Sequence, residues 1–137
     1  MIKIIAGQKG AGKTKQMIET ANAKVNSLKG HAVYIDSSNN HRLALSHQIR
    51  LIETSVFSLK SQQHFFGFLC GLLASNHDIE VVFIDELTKI TNSSLDEIAK
   101  IFEQIKSLSD TFHVDFIIGT SCDNDELPLQ MTPYLIA

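Results

Sequence analysis

Short apolar runs alternate along this chain with longer segments in which apolar residues recur at helical spacing. The apolar runs predict β-strands at residues 2–6, 32–35, 49–52, 81–84 and 114–118. Strands that alternate with helices favour a parallel sheet covered by helices on both faces. The pattern therefore predicts an α/β fold with three layers, α/β/α, around a mainly parallel sheet of about five strands.

Helical periodicity follows the first strand and returns in the middle of the chain. The first predicted helix begins near residue 14, and Gly30 serves as its stop. The second covers residues 62–75. Within it, Gly67 and Gly71 lie four residues apart, a spacing that indicates close packing of the helix against the sheet or another helix.

The last third of the chain carries the strongest amphipathic pattern. Apolar residues recur at helical spacing between residues 95 and 108, so we expect a helix whose apolar stripe faces the core. Ser93 or Ser94 caps this helix, with Glu97 in its first turn. The apolar tail at 133–137 predicts a last edge strand.

Length and composition limit how elaborate the protein can be. A chain of 137 residues with 44% apolar residues supports one core, so residues 1–137 are interpreted as a single domain. The formal net charge of −3 disfavours nucleic acid as the main ligand. The longest apolar run falls far short of the ~20 residues that span a membrane. Cys70 and Cys122 have no metal-ligand spacing, and no signal peptide is recognisable, so we expect a cytoplasmic protein.

A glycine-rich motif follows the first strand directly. It reads Gly7, Gln8, Lys9, Gly10, Ala11, Gly12, Lys13, Thr14, which satisfies G-x-x-x-x-G-K-[ST]. Such a loop wraps its backbone N–H groups around a polyphosphate at a helix N-terminus, where the helix dipole favours negative charge. Gly7 and Gly12 allow backbone conformations that a side chain would block, Lys13 reaches the β- and γ-phosphates, and the Thr14 hydroxyl holds Mg²⁺. The alternative is that the sequence matches the motif by chance. The predicted strand directly before the motif disfavours this alternative.

Two carboxylates follow the apolar run at residues 81–84, in the pattern of a Walker B strand. Such a buried parallel strand ends at the ligand crevice of an α/β sheet. Asp85 is therefore predicted to hold Mg²⁺, and Glu86 is the candidate general base that orients the attacking water. An ordinary strand with an acidic turn is the alternative. The complete glycine-rich motif earlier in the chain favours the first interpretation.

A third and weaker signal ends the strand at 114–118. In one large division of P-loop proteins, a strand inserted between the Walker A and Walker B strands carries a polar residue that senses the γ-phosphate. Thr120 or Ser121 is a candidate sensor here. A turn that simply uses small polar residues is an equal alternative.

With these motifs, the chain resembles the RecA-like, additional-strand, catalytic-glutamate division of P-loop NTPases. Within that division it is similar to small single-domain bacterial ATP-binding proteins, and the resemblance covers nearly the whole chain. It implies binding of ATP with Mg²⁺, with Lys13 and Thr14 on phosphate and metal, Asp85 on metal and Glu86 as base. The second domain and the histidine and aspartate boxes of the secretion-type ATPases are not recognisable, so no motor activity is inferred.

Arginine is scarce, and this affects the expected activity. Arg42 and Arg50 are the only arginines. An arginine on the transition state accelerates phosphoryl transfer by about 10³–10⁵. Either residue could act this way, within the chain or across a homo-oligomer, or both could lie on the surface.

Three functions remain open from the sequence. The first is a slow Mg²⁺-dependent ATPase. The second is a switch that hardly hydrolyses ATP and uses it to order the segments at 37–47 and 123–130 for a protein partner. The third, disfavoured by the short chain and its two isolated cysteines, is a small-molecule kinase.

Overall fold

Five parallel strands form one sheet at the centre of the computed structural model, which describes residues 1–136. They are β1 (Ile2–Ala6), β2 (His31–Asp36), β3 (Ile49–Glu53), β4 (Ile79–Ile84) and β5 (Asp115–Thr120). Their order across the sheet is β1-β5-β4-β2-β3, and every neighbouring pair is parallel. Strand β5 therefore lies between β1, which precedes the glycine-rich motif, and β4, which precedes the two carboxylates.

Helices cover both faces of the sheet. The α-helices are α1 (Lys13–Val25), α2 (Gln62–Ser75), α3 (Leu87–Thr91) and α4 (Ile98–Phe112). Helix α1 packs against one face, while α2, α3 and α4 pack against the other. Short 3₁₀ helices lie at Arg42–Ala44, Thr54–Phe57, Asn124–Glu126 and Leu129–Tyr134. The prediction of an α/β fold with three layers is confirmed.

The two-sided core explains why residues 81–84 of β4 are all apolar. Val82 and Ile84 enter the core beneath α2 and α4, whereas Val81 and Phe83 enter the core beneath α1. Successive side chains of a strand point to opposite faces, so a strand that is buried on both faces needs an apolar residue at each position. The sequence of β4 therefore fixes its place in the interior of the sheet.

Helix boundaries differ from the sequence predictions at three places. Helix α1 ends at Val25 with Asn26 as its C-cap, so Gly30 is not its stop. The helix α3 was not predicted, since its five residues are too few to show a periodic pattern. Helix α4 begins at Ile98, after a turn in which the Ser94 N–H donates to a Glu97 side-chain oxygen at 2.9 Å. Its apolar stripe faces the core as expected.

Two further predictions are wrong. The tail does not add a strand, because Leu129–Tyr134 forms a 3₁₀ helix and Leu135 makes only an isolated parallel bridge to Ile4 of β1. Ala137, the last residue of the predicted strand, lies outside the described residues. Gly67 and Gly71 do not mediate close packing, since a Cβ at either position would meet no heavy atom within 4 Å.

Within residues 1–136, no helix has the length and hydrophobicity to cross a membrane.

Gly30 has a different role from the one that the sequence indicated. A Cβ atom at Gly30 would lie well inside van der Waals contact with the carbonyl oxygen of Asp78. That carbonyl accepts a hydrogen bond from the His31 N–H at 2.8 Å, at the start of the pairing between β2 and β4. The absence of a side chain therefore lets the two strands approach.

The substitution Gly30→Ala tests this close approach. We expect it to lower the free energy of unfolding by about 1–3 kcal/mol, because the backbone of Asp78 must move to admit the methyl group. Gly67→Ala is the matched control and is expected to raise stability by about 0.5–1 kcal/mol, since it lies in an exposed helix interior with open space around it. Urea denaturation of both variants measures the difference. Equal stability of the two variants would contradict the account.

Candidate functional site

The glycine-rich loop at residues 7–14 connects β1 to α1. Gly10 and Gly12 adopt positive φ angles of 90° and 87°, a region that residues with side chains rarely enter. The Ala11 N–H donates to the Gln8 carbonyl at 3.0 Å and closes a turn. Gly7 is not among the residues with positive φ, so the expectation that Gly7 needs unusual backbone freedom is wrong. Gly10 and Gly12 give the loop its shape.

This loop ends at the N-terminus of α1. Gly12 is the N-cap residue, no side chain caps the helix, and its first turn contains no acidic residue. The N–H groups of a first turn lack partners within the helix, and the helix dipole places partial positive charge there. The end of α1 therefore has the backbone chemistry that suits an anion.

Lys13 and Glu86 form an ion pair across the site. Lys13 is buried, and its Nζ contacts the Glu86 Oε1 atom. The Ser121 hydroxyl lies 2.7 Å from Oε1 and 2.6 Å from Oε2 of the same carboxylate, so it donates to Glu86. Sequence motifs from three separate parts of the chain thus meet at one carboxylate.

The backbone of Glu86 adopts an unusual conformation. Its φ and ψ angles are 66° and 65°, in the left-handed region, at the junction between β4 and α3. Such a conformation at a residue other than glycine costs about 1–3 kcal/mol and is concentrated at functional sites. This backbone conformation connects the end of β4 to the start of α3.

Asp85 is almost fully enclosed, with 1% of its surface exposed. Its Oδ2 atom accepts a hydrogen bond from the Tyr34 hydroxyl at 2.9 Å, whereas its Oδ1 atom has no hydrogen-bond partner within the described residues. Burial raises the pKa of the Asp85 carboxyl, and the hydrogen bond from Tyr34 lowers that pKa in opposition. The carboxylate is therefore fixed through Oδ2, while Oδ1 is enclosed, and the Thr14 side chain also lowers the pKa of this carboxyl.

Tyr34 is a site residue that the sequence did not reveal. It is fully buried in β2, and its ring stacks on Phe83 with centroids 5.9 Å apart. Burial, followed by the charge of Asp85, raises the pKa of the Tyr34 hydroxyl, which therefore remains a hydrogen-bond donor. A tyrosine within the apolar run at 32–35 was the available signal, but the order of the strands was needed to place it beside Asp85.

The two candidate sensor residues lie in different environments. Ser121 lines the cleft and contacts Glu86. Thr120 ends β5, is fully buried, and has a hydroxyl oxygen with no hydrogen-bond partner in the described part of the chain. The role of either residue as a sensor stays a prediction, and the contact with Glu86 favours Ser121.

These groups surround one cleft of about 570 Å³. Four lysines, Lys9, Lys13, Lys15 and Lys89, line it, together with Gly10, Gly12, Thr14, Asp85, Glu86 and Ser121. The remaining lining residues are polar and come from the end of β2 and the segment after it: Asp36, Ser37, Ser38, Asn40 and His41. Neither Arg42 nor Arg50 is among the lining residues. The positive charge of the cleft therefore comes from lysine.

Asp36, which directly follows the predicted strand at 32–35, is a buried acid at the wall of the cleft. Its Oδ1 atom accepts a hydrogen bond from the Ser37 N–H at 2.6 Å, and its Oδ2 atom lies 3.6 Å from Nδ1 of His41. The charge of Asp36 also raises the pKa of Asp85. Three carboxylates, those of Asp36, Asp85 and Glu86, thus line the same cleft.

The residues at the cleft fit a magnesium ion. Mg²⁺ binds oxygen ligands and is usually held by one or two carboxylates together with substrate phosphates and water. Asp85 offers a buried and unpartnered oxygen, and Thr14 lines the same cleft. In residues 1–136, no three histidine, cysteine or acidic side chains cluster as a protein-only metal site.

No family model matches the chain, and a search of curated proteins finds no matching relative. The interpretation of the cleft therefore depends on its residues and geometry.

The substitution Asp85→Asn tests the cost of the buried carboxylate. We expect the variant to be about 1 kcal/mol more stable than the wild type at neutral pH without nucleotide, because a buried charge is removed while an acceptor for Tyr34 remains. The folded-state pKa of Asp85 lies above its unfolded value, so the wild-type chain loses stability as the pH rises between these two values. Asp85→Asn should lack this loss.

Thermal unfolding at several pH values measures the effect. Asp110→Asn, the same change at an exposed position of α4, is the control and should stay within about 0.5 kcal/mol of the wild type. An Asp85→Asn variant that is less stable than the wild type at every pH would contradict the interpretation.

Proposed function

We propose that this protein binds ATP together with Mg²⁺ and hydrolyses the bond between the β- and γ-phosphates slowly. The observation that carries the proposal is the convergence of Lys13, Asp85 and Glu86 in one cleft at the N-terminus of α1. Each residue type matches one requirement of phosphoryl transfer: a cation for phosphate, an oxygen ligand for the metal, and a carboxylate for water.

Binding of the triphosphate would use the backbone more than the side chains. The loop from Gly7 to Gly12 and the first turn of α1 present N–H groups, and the left-handed glycines allow close approach of the backbone. Lys13 would supply a charge-assisted hydrogen bond to the β- and γ-phosphate oxygens. Lys9, Lys15 and Lys89 would add positive potential at the mouth of the cleft.

Asp85 and Thr14 would hold the magnesium ion. Mg²⁺, when bound, would neutralise charge on the phosphate oxygens. The Tyr34 hydroxyl keeps the Asp85 carboxylate in one orientation through Oδ2, and Oδ1, which has no hydrogen-bond partner within the described residues, would be the oxygen that accepts the metal. Tyr34 is therefore a positioning residue for the metal site.

Hydrolysis would depend on the release of Glu86. In the free protein Lys13 contacts Oε1 of Glu86, and the Ser121 hydroxyl contacts both oxygens, so each oxygen of the carboxylate already has a partner. If Lys13 turns to the phosphates, Glu86 keeps the hydrogen bond from Ser121 and can accept a proton from an attacking water. The water oxygen then bonds to the γ-phosphorus, and the bridging oxygen leaves with the electron pair on ADP. The absence of arginine from the cleft is the reason that we expect slow turnover.

A nucleotide-dependent switch is the second candidate. Ser37, Asn40 and His41 line the cleft, so a bound nucleotide would contact the segment that follows β2. Gln8 of the glycine-rich loop donates to Oε1 of Glu126 at 3.2 Å, which links the loop to the segment after β5. These contacts give a bound nucleotide two segments to reorganise for a protein partner without any hydrolysis.

The test combines binding and turnover. We expect Lys13→Ala to weaken MgATP binding at least about tenfold, because it removes a buried charge from the phosphate site. Glu86→Gln should retain binding but lower the rate of phosphate release at least about 100-fold, the usual contribution of a general base. Calorimetric titration measures binding, and a phosphate-release assay with excess MgATP measures turnover.

Two control variants carry the same substitutions, Lys→Ala and Glu→Gln, at positions outside the cleft. Lys100→Ala and Glu103→Gln lie on the exposed side of α4 and should leave both quantities unchanged. If the wild type binds MgATP tightly but releases phosphate no faster than Glu86→Gln, the proposed function becomes the switch and not the ATPase. Failure of the folded wild type to bind MgATP would overturn both.

A further inference from the structure

A small pocket opens beside the cleft at the glycine-rich loop. It has a volume of about 320 Å³. Its polar lining comes from residues that follow strands β2, β3 and β4, together with one residue just before α2: Ser37, Thr54, Ser55, Ser58, Lys60 and Lys89. Leu59 and Ile90 form its apolar lining. We refer to this space as the side pocket.

The side pocket lies where α/β sheets commonly bind ligands, outside the carboxyl ends of the strands. Ser37 directly follows β2, Thr54 directly follows β3, and Lys89 belongs to α3, which follows β4. Ser37 and Lys89 also line the cleft at the glycine-rich loop, so the two spaces adjoin. A molecule in the side pocket would therefore lie next to a bound nucleotide.

The charge of the lining is positive. Among the residues that the structure describes, Lys60 and Lys89 line the side pocket and no acidic side chain does. Neither lysine forms an ion pair within residues 1–136. Lys60 also borders a second groove that contains Asp96 and Glu97, but it pairs with neither of them. Both ammonium groups are therefore available to an anion.

The acidic residues next to these stretches in sequence contact other groups. Glu53 accepts a hydrogen bond from the Ser55 hydroxyl at 2.9 Å, and it lines a different groove at the edge of the sheet. Asp36 accepts from the Ser37 N–H at 2.6 Å and lines the cleft. Glu86 is paired with Lys13. Their charges therefore do not line the side pocket.

Hydroxyl groups supply the rest of the polar lining. Thr54 lines the pocket although only 4% of its surface is exposed. Ser58 has φ and ψ angles of 54° and 37°, a left-handed conformation that is concentrated at functional sites when the residue is not glycine. A hydroxyl can donate a hydrogen bond to an anion. The lining thus combines two cations with several short donors.

We infer that the side pocket binds the phosphate group of a small phosphorylated compound. A phosphate monoester carries about 1.5–2 negative charges at neutral pH, which the two lysines balance. Lysine donates as a point charge, which suits phosphate, whereas the guanidinium fork that best matches a planar carboxylate is absent from the lining. Ligand pockets commonly have volumes of about 300–1,000 Å³, so a pocket of this size suits a small molecule.

Other occupants fit the side pocket less well. A divalent cation would be repelled by both lysines and would find no carboxylate in the lining. A neutral compound would gain no charge-assisted hydrogen bond from the two ammonium groups. The inference does not depend on hydrolysis of ATP, because Lys60 and Thr54 lie outside the cleft at the glycine-rich loop.

The test adds glycerol 2-phosphate to the isotope-labelled full chain without nucleotide and follows the backbone amides by NMR. We expect saturable shifts at Ser58, Lys60 and Lys89, with a dissociation constant on the order of 1 mM. Glycerol, which lacks the phosphate, should cause no shifts, and malate, a dicarboxylate, should bind more weakly. The amides of Gly10 and Gly12 report the glycine-rich loop separately, so failure of this site and failure of the nucleotide site can be distinguished.

Three variants locate the bound ester. Lys60→Gln should weaken its binding at least about threefold and leave MgATP binding unchanged, because Lys60 does not line the cleft. Thr54→Val keeps the shape of the side chain but removes its hydroxyl, and it should also weaken binding about threefold. Lys29→Gln removes an exposed charge that lines neither space and should leave the affinity unchanged.

Several results would overturn the inference. Shifts confined to residues 7–14, or no shifts at all, would show that the side pocket does not bind the ester. Equal binding of malate, or equal weakening by Lys29→Gln, would indicate only general attraction of anions to the surface. Unchanged affinity in Lys60→Gln or in Thr54→Val would show that the ester binds elsewhere.

Discussion

The parallel direction of all five strands is the constraint on which the candidate site depends. Parallel strands end at the same edge of a sheet, so the residues that follow them meet although they are far apart in sequence. The glycine-rich loop follows β1, Ser121 follows β5, and Asp85 and Glu86 follow β4. Because β5 lies between β1 and β4, Ser121 reaches the carboxylate that also pairs with Lys13. An antiparallel strand in this position would carry its end to the opposite side.

The charged side chains of the candidate site also lie at this edge of the sheet. Asp36, Asp85 and Glu86 concentrate negative charge, and Lys13 is the buried cation that faces it. Lys13 is buried and Glu86 is partly exposed, so the ion pair between them lies in a lower dielectric than a pair on the open surface and is stronger than such a pair. A polyphosphate must therefore compete with Glu86 for Lys13. In our account this competition couples the arrival of substrate to the release of the base.

Much of this arrangement could be predicted from the sequence, for identifiable reasons. Apolar runs gave the five strands, and the bounds of α2 were predicted at Gln62–Ser75 as they occur. The motif around Lys13 and the carboxylates at residues 85 and 86 could be assigned to one site, because the order of strands in such folds is restricted. Helix α3 was not predicted because five residues are too few to show a helical pattern. The tail was predicted wrongly because its apolar composition does not distinguish a strand from a 3₁₀ helix. Tyr34 and Asp36 could not be placed, since their importance arises from the neighbouring strand β4 and not from their own sequence.

The most direct test of the central claim is a titration of the isotope-labelled protein with MgATP, followed by NMR of the backbone amides. The account predicts large shifts at Gly10, Gly12, Lys13 and Thr14, because their N–H groups would donate to phosphate oxygens. It also predicts only small changes at the amide of Arg50 on the remote edge strand. Shifts confined to the edge strand β3, or no shifts at residues 7–14 at saturating MgATP, would contradict the proposal that this loop binds the nucleotide.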